Sequence, residues 1–306
     1  MERVYLREVG LRDGLQMVKT DLSTERKIEW IEGAVAAGLT EMEVTSFVPP
    51  KTFPIFADAA KVAEFALTVP GLTPSALVLN LRGAADAFAS GLRQVSYVLS
   101  ASEAHSSANA RRTSDEAAEE FERIVALRDN LGFKETVTLS CGVATAFGCS
   151  LQGYVDEDRV LDLAERVTAA GAAEVLIADT VGYGAPGQVE RLFTRLRERL
   201  PAQPVAAHFH DTRGMGLANV AAALRAGVRR FDASIGGLGG CPFAPGATGN
   251  INFEDAAFML EAEGFETGVD FDRLLALRRK VETWLPQERF TGAILRAGYK
   301  PPVLTA

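Results

Sequence analysis

The stretch Ala170-Gly171-Ala172 separates a helical pattern, Asp156–Ala170, from an apolar β-rich segment, Glu174–Asp179. A glycine at this point suits the left-handed backbone conformation that commonly ends a helix. The same arrangement recurs at Ala37-Gly38-Leu39, Ser90-Gly91-Leu92 and Ala226-Gly227-Val228. The chain therefore repeats one unit, in which a helix ends at a glycine and a strand follows.

The repeat extends over most of the chain. The β-rich segments are Val4–Glu8, Glu41–Thr45, Pro74–Leu79, Gln94–Leu99, Thr136–Ala144, Glu174–Asp179, Val205–Phe209 and Arg230–Ser234. The helical patterns are Thr24–Ala37, Phe56–Leu67, Leu81–Ser90, Thr113–Leu131, Asp156–Ala170, Gly187–Arg199, Leu217–Ala226 and Phe253–Glu263. Ser23 or Thr24 fits the cap of the first helix, and Ser114 fits the cap of the fourth.

Strict alternation of eight strands and eight helices, with no break in composition, predicts an α/β protein with one (β/α)8 TIM barrel. We expect a single catalytic domain over residues 1–306, in which residues from about 265 to 306 form a short C-terminal helical extension packed on the barrel. An open doubly wound sheet is the alternative. It is disfavoured because no GxGxxG motif follows the first strand.

Composition limits the class of protein and its partners. Hydrophobic residues make up 47% of the chain and charged residues 24%, as in a globular protein with a sizeable core. A formal net charge of −8 argues against a nucleic-acid partner. No apolar run reaches the length of a membrane span, and Met1 leads directly into a β-rich segment, so we expect no membrane segment and no signal peptide. Three irregularly spaced cysteines indicate reduced thiols and a cytoplasmic location.

The seventh predicted strand ends in His208-Phe209-His210-Asp211. Side chains alternate along a strand, so His208 and His210 share a face and form a ligand pair for a divalent metal. Taken alone, such a pair is as often two solvated or core histidines. The chain has three histidines in all, and two of them lie on this strand, which favours metal binding.

Other ionisable and polar residues gather at the same end of the predicted barrel. Active residues of such barrels lie at the C-terminal ends of the strands or in the loops that follow. The candidates are Arg12 with Asp13, Glu43, Asp179, Asn250 and Cys241. Each candidate also has a structural alternative: a local ion pair for Arg12 with Asp13, an exposed strand-end charge for Glu43, and a helix cap for Asp179. Asn250 alone is explained as a turn residue, and Cys241 as a small buried hydrophobe. Their convergence at one end favours an active site instead.

The metal type follows from the donor atoms. Asp13 is the natural third ligand beside the two histidines, and Asn250 adds an oxygen donor. A set of this kind favours octahedral coordination and suits Mg²⁺ or Mn²⁺ better than a structural zinc ion.

The three cysteines divide into two groups. Cys241 follows the glycine-rich segment Gly236–Gly240, a setting that favours a mobile, exposed thiol. Cys141 and Cys149 are interpreted as structural. His105, in the polar run Ser102–Asn109, is not placed by any pattern.

Five motifs along the chain carry a family resemblance: Gly10-Leu11-Arg12-Asp13-Gly14-Leu15-Gln16, Glu43-Val44-Thr45-Ser46-Phe47-Val48, His208-Phe209-His210-Asp211-Thr212, Gly237-Leu238-Gly239-Gly240-Cys241-Pro242 and Gly249-Asn250. In this order they resemble the 3-hydroxy-3-methylglutaryl-CoA lyases of the DRE-TIM metallolyase family, essentially from end to end. The cysteine loop is the most specific motif, because condensing relatives such as isopropylmalate and homocitrate synthases lack that cysteine and carry further domains.

The resemblance implies a retro-Claisen cleavage of 3-hydroxy-3-methylglutaryl-CoA (HMG-CoA) to acetyl-CoA and acetoacetate, in leucine degradation and ketone-body formation, by a homodimer. It implies a divalent metal, Mg²⁺ or Mn²⁺, bound by Asp13, His208, His210 and Asn250. The implied catalytic groups are Arg12, which faces the thioester oxygen, Cys241, which transfers a proton from a lid loop, and the substrate-proximal acids Glu43 and Asp179. Arg12, Gln16 and Lys19 are the implied contacts of the acyl-CoA substrate.

One segment departs from the family pattern. After Gln16 the usual continuation is Asn-Glu-Lys, whereas this chain has Met17-Val18-Lys19. The acyl group therefore stays open between HMG-CoA and another 3-hydroxyacyl-CoA, such as citramalyl-CoA or a longer-chain 3-hydroxyglutaryl-CoA. A non-catalytic metal- or CoA-binding barrel is a third hypothesis. It would leave the joint presence of the metal ligands, Arg12 and Cys241 unexplained.

Overall fold

The fold is a closed barrel of eight parallel strands, seen in a computed structural model that describes residues 1–240 and 249–299. The strands follow one another around the barrel in chain order: β1 (Tyr5–Glu8), β2 (Glu41–Phe47), β3 (Thr73–Val78), β4 (Gln94–Ser100), β5 (Thr138–Ala144), β6 (Glu174–Asp179), β7 (Val205–Phe209) and β8 (Arg230–Ala233). Strand β1 closes the barrel against β8, with Arg7 in register with Asp232. The predicted (β/α)8 barrel is confirmed, and the open doubly wound sheet is excluded.

Helices alternate with the strands on the outside of the barrel. They are α1 (Thr24–Ala36), α2 (Ala59–Thr68), α3 (Leu81–Ala89), α4 (Glu103–Ala110), α5 (Ser114–Asn130), α6 (Glu157–Ala170), α7 (Pro186–Arg199), α8 (Gly216–Arg225) and α9 (Phe253–Ala262). Two more follow the barrel, α10 (Phe271–Trp284), which packs on α1, and the short α11 (Ile294–Ala297). Among the described residues, no helix is long and apolar enough to span a membrane.

The glycines that end the helices behave as predicted. Gly171 has φ 112°, a conformation that costs a residue with a side chain about 1 kcal/mol or more. The other three predicted positions are also left-handed, with φ 90° at Gly38, 86° at Gly91 and 87° at Gly227. These turns send the chain straight from each helix into the next strand.

Two local predictions need correction. Helix α4 was not expected, because the run after β4 is polar and has no apolar stripe; Ser102 begins it by accepting a hydrogen bond from the His105 N–H at 3.2 Å. The predicted cap Ser114 is wrong by one residue. Thr113 caps α5 by accepting from the Glu116 N–H, while the Glu116 carboxylate accepts from the Thr113 N–H. Ser23 does occupy the N-cap of α1, without a capping hydrogen bond from its side chain.

An aromatic cluster behind β7 fixes the direction of its histidines. Phe209 is fully buried, and its ring lies 6.4 Å from that of Phe193 on α7 and 6.1 Å from that of Phe147. Because Phe209 points outward into this cluster, its neighbours His208 and His210 point into the barrel. Burial of three aromatic rings thus sets the register of the strand that carries the candidate metal ligands.

Candidate active site

The residues after β1 form a tight π-helical turn, Gly10–Gly14, at the C-terminal end of the barrel. The Gly14 N–H donates to the Val9 carbonyl at 3.1 Å across five residues. Single π-turns are frequent at functional sites because they re-aim the side chains they carry. Here the turn presents both Arg12 and Asp13 to the barrel mouth.

Asp13 lies beside the two histidines of β7. Its Oδ2 is 3.7 Å from Nε2 of His210 and 4.0 Å from Nε2 of His208. The ligand atoms of the three side chains all lie within 4.8 Å of one another. These are separations that one cation between the three groups would bridge, and the arrangement brings together three of the four predicted ligands.

Asn250 completes this cluster. Its backbone is held beside β7, because the Ile251 N–H donates to the Phe209 carbonyl at 3.1 Å and the Asp211 N–H donates to the Gly249 carbonyl at 2.9 Å. The side-chain amide donates to Asp13 Oδ2 at 2.7 Å and to the Leu238 carbonyl at 3.1 Å. We call Asp13, His208, His210 and Asn250 the metal cluster.

The metal cluster fits a divalent cation on the basis of its own atoms. Among the described residues, Oδ1 of Asn250 is buried and has no hydrogen-bond partner, although a buried acceptor normally has one. With the amide turned so that Oδ1 rather than Nδ2 faces Asp13, a bound cation would satisfy that oxygen. Two imidazoles, a carboxylate and an amide oxygen make a mixed donor set that accommodates octahedral divalent ions.

The charge state of the metal cluster also suits a cation. Burial opposes ionisation of Asp13, but the positive charge of Arg12 and the contact with His210 outweigh it, so the pKa of the Asp13 carboxyl lies well below its usual range. Asp13 is therefore a carboxylate throughout the physiological range, as a metal ligand has to be.

Asp232 and Arg7 belong to the site, and the sequence analysis missed both. Nδ1 of His208 lies 3.1 Å from Asp232 Oδ2, and Arg7 Nε donates to Asp232 Oδ1 at 2.8 Å. Burial alone would lower the pKa of His208, but the hydrogen bond and charge of Asp232 raise it overall. A carboxylate on Nδ1 leaves Nε2 directed at the metal cluster. The signal in the sequence was an acid between the apolar residues Phe231 and Ala233 of a predicted strand.

Arg7 continues into a network of ion pairs at the opposite end of the strands. Arg7 Nη1 lies 3.1 Å from Glu174 Oε1, Arg230 Nε lies 2.6 Å from Glu174 Oε2, and Arg230 Nη2 lies 2.5 Å from Glu41 Oε2. We call Arg7, Glu174, Arg230 and Glu41 the lower network. Each of its acids has an arginine partner.

Arg12 is held by two acids. Its Nε donates to Glu43 and its Nη1 donates to Asp13 Oδ1 at 2.6 Å. Glu43 also accepts a hydrogen bond from Ser96. The guanidinium is thus fixed in orientation beside the metal cluster. The alternative in which Glu43 is an exposed strand-end charge is excluded, since only 4% of its surface is exposed.

A cavity of about 260 Å³ opens beside these groups at the C-terminal end of the strands. Its lining includes Arg12, Asp13, Gln16, Glu43 and both histidines of β7. Its volume is slightly below the range of about 300–1,000 Å³ that is usual for small-molecule sites. His105 lines the same cavity, with its Nδ1 2.6 Å from Ser100 Oγ, so α4 adds a residue that no sequence pattern had placed.

Asp179 and Lys19 are predicted site residues that do not line this cavity. Asp179 is fully buried but is not among the lining residues; its two oxygens accept from the N–H groups of Tyr183 and Gly184 at 2.8 and 2.9 Å. Asp179 therefore stabilises the turn after β6 rather than capping the following helix, whose N-cap is Ala185. Lys19 is exposed and also outside the lining. Cys241 lies outside the described residues, so its role stays a prediction. Cys141 and Cys149 are both buried, and burial raises the pKa of the Cys141 thiol, which agrees with a structural interpretation.

Glu8 ties the loop after β1 to the loop after β8. Its Oε1 accepts from the Gly10 N–H at 2.8 Å and from the Ile235 N–H at 3.2 Å. Burial raises the pKa of Glu8 to about 8, although these backbone hydrogen bonds act in the opposite direction. One buried side chain thereby links the segment that carries Arg12 to the one that leads toward Cys241.

Comparison with known proteins agrees with this geometry. A sequence model of the HMGL-like family matches residues 3–281. Hydroxymethylglutaryl-CoA lyase of Bacillus subtilis is 39% identical over 92% of this chain and 93% of its own length. The (R)-citramalyl-CoA lyase of Chloroflexus aurantiacus is 40% identical over 90% of this chain and 89% of its own. An HMG-CoA lyase from Acinetobacter baumannii, solved with coenzyme A and 3-methylmalate, superposes with a TM-score of 0.90 at 37% identity, over 97% of this chain and 95% of the other.

The agreement covers the β1 turn, the histidine strand and the barrel that joins them, rather than a single motif. The protein thus belongs to the HMGL-like family and is a carbon–carbon lyase.

Proposed function

We propose that the protein cleaves HMG-CoA to acetyl-CoA and acetoacetate with Mg²⁺ or Mn²⁺ held by the metal cluster. The observation that carries the proposal is the position of Arg12, whose guanidinium bonds Asp13 of the metal cluster at 2.6 Å and faces the same cavity. A retro-Claisen cleavage changes the charge on two substrate oxygens, the C3 hydroxyl oxygen and the thioester oxygen. A cation and a fixed guanidinium side by side can stabilise one each. The similarity to hydroxymethylglutaryl-CoA lyases from several organisms supports the substrate.

The reaction removes the proton of the C3 hydroxyl and breaks the C2–C3 bond. C3 becomes the ketone of acetoacetate, and the electron pair of the broken bond remains on C2 as the enolate of acetyl-CoA, which then takes up a proton. A divalent cation in the metal cluster supplies Lewis-acid polarisation, which lowers the pKa of the C3 hydroxyl. Asp13 and the two Nε2 atoms face that position, and Asp232 holds the orientation of His208.

Arg12 stabilises the enolate oxygen. Its charge is permanent, and Glu43 and Asp13 fix the plane of its guanidinium before substrate binds. A preorganised donor aimed at developing charge is commonly the largest single contribution to such a reaction. Glu43 therefore acts by positioning Arg12, with Ser96 as the further partner of its carboxylate.

Proton transfer to and from the carbon fragments needs a group that titrates near neutrality. We assign it to Cys241 from its place in the glycine-rich sequence. We also assign contacts with the acyl-CoA substrate to Gln16, which lines the cavity, and to Lys19, which is exposed. Asp179 acts through the turn that it stabilises.

Citramalyl-CoA is the second candidate substrate, and one contact favours it. Met17, which replaces a polar residue of the family pattern, lies beside the cavity residue Gly240, where an added Cβ would be 3.9 Å from Met17 Cγ. An apolar group at this point disfavours a long acid arm. The 40% identity to the Chloroflexus citramalyl-CoA lyase is consistent with that candidate.

Wider biological roles follow from the same proposal. Coenzyme A is bound in the related Acinetobacter structure, and we propose a CoA thioester as the substrate here. A cytoplasmic homodimer that acts in leucine degradation and ketone-body formation is consistent with the proposal. Sedimentation of the purified protein at working concentration tests the dimer.

Acetyl-CoA release tests the function directly. Chelator-treated protein reloaded with Mg²⁺ or Mn²⁺ is given HMG-CoA and, separately, citramalyl-CoA. We expect metal-dependent acetyl-CoA release that is fastest from HMG-CoA. Faster release from citramalyl-CoA would move the assignment to the second substrate, and release from neither thioester would contradict both.

A further inference from the structure

The C-terminal extension crosses the loop that follows β8. We call residues Phe290–Ile294, which lie between α10 and α11, the strap. The Thr291 N–H donates to the Gly236 carbonyl at 2.8 Å, and the Thr291 hydroxyl donates to the same carbonyl at 3.3 Å. The Thr291 carbonyl accepts from the side-chain amide of Asn252 at 2.9 Å. One strap residue therefore bonds two segments of the barrel mouth that are separate in the chain.

These two segments enclose the metal ligand Asn250. Asn250 pairs with His210 at the end of β7 in an antiparallel bridge, whereas Asn252 pairs with Ser234 after β8 in a parallel bridge. The chain from Asn250 to Asn252 is thus a short extended segment between the ends of β7 and β8. Because Asn252 is bonded to the strap, the strap holds this segment from the side opposite β7.

The loop after β8 packs directly against the same segment. A Cβ added at Gly249 would lie 2.5 Å from the Gly237 carbonyl oxygen and 2.7 Å from the Gly239 carbonyl oxygen. Backbone therefore meets backbone beside Asn250, with no side chain between. A shift of the loop at Gly236, where the strap bonds it, would be passed on to Asn250 through this contact.

The strap is itself anchored on α9. The Ala293 N–H donates to both carboxylate oxygens of Asp255, at 2.9 and 2.8 Å, and the Ile294 N–H donates to Oδ1 at 2.9 Å. Gly292 has φ 115°, and a Cβ added there would lie 2.6 Å from Asn252 Nδ2. Only glycine allows the strap to approach Asn252 this closely.

A buried arginine supports the strap from α10. Arg278 is 2% exposed, its Nη2 donates to the Thr291 carbonyl at 3.3 Å, and its Cζ lies 4.5 Å from the centre of the Phe290 ring. On the other side of the loop, the Gly236 N–H donates to Glu254 Oε2 at 3.0 Å. Gly236 is thus held at its N–H by Glu254 and at its carbonyl by Thr291.

We infer that the strap is a positioning element of the metal cluster, holding Gly236 and Asn252 so that the Asn250 side chain faces Asp13. The inference rests on the proposed function, in which the metal cluster binds Mg²⁺ or Mn²⁺. Among the described residues that line the cavity, none belongs to the strap, so the strap acts through Asn250 and not by touching substrate. The C-terminal extension, outside the barrel, then contributes to metal affinity.

Two substitutions loosen the strap without altering the metal cluster itself. Asn252→Ser keeps an oxygen that can cap α9, where the Asp255 N–H now donates to Asn252 Oδ1 at 2.8 Å, but it loses the amide that reaches Thr291. Gly292→Ala places a methyl group against the Asn252 side chain. Titration of the chelator-treated proteins with Mn²⁺ should show affinity about tenfold or more below wild type for each, the lower end of the range for groups that orient a metal ligand.

Gly264→Ala is the matched control for Gly292→Ala. Gly264 is also left-handed, with φ 87°, and nothing lies within 4 Å of a Cβ added there. The control adds backbone strain away from the strap, so it should lower the melting temperature and leave the Mn²⁺ affinity unchanged.

A purely structural strap would behave differently. Asn252→Ser and Gly292→Ala would then lower the melting temperature of the metal-free protein while the folded variants bound Mn²⁺ as tightly as wild type, and this result would overturn the inference alone. An equal loss of affinity in Gly264→Ala would also overturn it. If Gly292→Ala does not fold, Asn252→Ser decides between the two results. Absence of Mn²⁺ binding to wild type would instead overturn the proposed function, and this inference with it.

Discussion

The metal cluster and the lower network are two buried polar groups inside one barrel, and they differ in how completely their atoms are paired. In the lower network, Glu174 bonds both Arg7 and Arg230, and Arg230 also bonds Glu41. In the metal cluster, Asn250 Oδ1 and His210 Nδ1 are buried without a hydrogen-bond partner among the described residues. The lower network is the more exposed of the two, since the Arg230 side chain is 31% exposed whereas those of His208 and His210 are 7% and 4% exposed. Here the unpaired atoms, rather than the buried charge, distinguish the metal cluster from the lower network.

The metal cluster and the lower network also lie at opposite ends of the barrel. Arg230, Glu41 and Glu174 are the first residues of β8, β2 and β6, so the lower network lies at the N-terminal end of the barrel. His208, His210 and Asp13 lie at the C-terminal end. In this fold the N-terminal end contributes stability and the C-terminal end contributes chemistry. Asp232 joins the two groups, since it bonds both Arg7 and His208.

The largest effect should come from removing a ligand. We expect His210→Ala to lower turnover in metal-limited buffer on the order of a thousandfold, because Lewis-acid stabilisation is worth several kcal/mol and each 1.36 kcal/mol is a factor of ten. Thermal unfolding should change little, since the substitution also removes the unpaired Nδ1. Near-normal turnover after chelator treatment would remove His210 from the ligand set.

Arg12→Lys should have the next largest effect, about a hundredfold or more on kcat. Lysine keeps the charge but loses the planar fork by which Arg12 bonds Glu43 and Asp13 together. Steady-state kinetics should show a fall in kcat that exceeds the rise in KM. A change confined to KM would mean that Arg12 holds substrate in its ground state only.

Asp232→Asn tests the junction between the two groups. We expect metal affinity to fall about 10- to 100-fold, because the partner that orients His208 loses its charge. Titration of chelator-treated variant and wild type with Mn²⁺ measures the difference. Unchanged affinity would assign Asp232 to the lower network only.

Glu174→Gln should affect stability rather than activity. It breaks pairing with both Arg7 and Arg230, and we expect unfolding free energy to fall by about 2–3 kcal/mol, less than for a fully buried pair because the Arg230 side chain is 31% exposed. Denaturant unfolding gives the value, and kcat should stay within about twofold of wild type. A large loss of kcat in the folded variant would erase the distinction between the two groups.

Much of this arrangement could be predicted from sequence because its signals are local. The glycine that ends each helix and the alternation along β7 depend on neighbouring residues, so both the barrel and the inward direction of His208 and His210 were predictable. Strands β6 and β7 were predicted with both ends correct. Asp13 and Asn250 followed once a barrel was assumed, because the fold itself brings strand ends together.

The remaining features depend on contacts between distant residues. Asp232 acquires its role from Arg7 and His208, which are separated from it by 225 and 24 residues. Helix α4 has no apolar stripe and forms where Ser102 caps it above β4. The burial of Glu43 and the turn contacts of Asp179 likewise depend on loops whose paths the sequence pattern does not specify.

The last of these predictions concerns the pH dependence of stability and Glu8, which belongs to neither group. Its pKa is raised by burial from 4.5 to about 8, so the folded protein keeps a proton that the unfolded chain releases above about pH 4.5. The unfolded state then binds fewer protons, and stability falls as pH rises from about 4.5 to about 8. Glu8→Gln removes this contribution. The melting temperature of wild type should therefore fall more between pH 5 and pH 8 than that of the variant; parallel curves would contradict the assignment.

The central claim is that the metal cluster binds one divalent cation and that the lower network does not contribute directly. Calorimetric titration of chelator-treated protein with Mn²⁺ tests it most directly, with His210→Ala and Glu174→Gln run in parallel. We predict one Mn²⁺ per chain for wild type and for Glu174→Gln with similar affinity, and affinity at least about a hundredfold weaker for His210→Ala. Binding to His210→Ala with wild-type affinity, or no binding to wild type, would contradict the account.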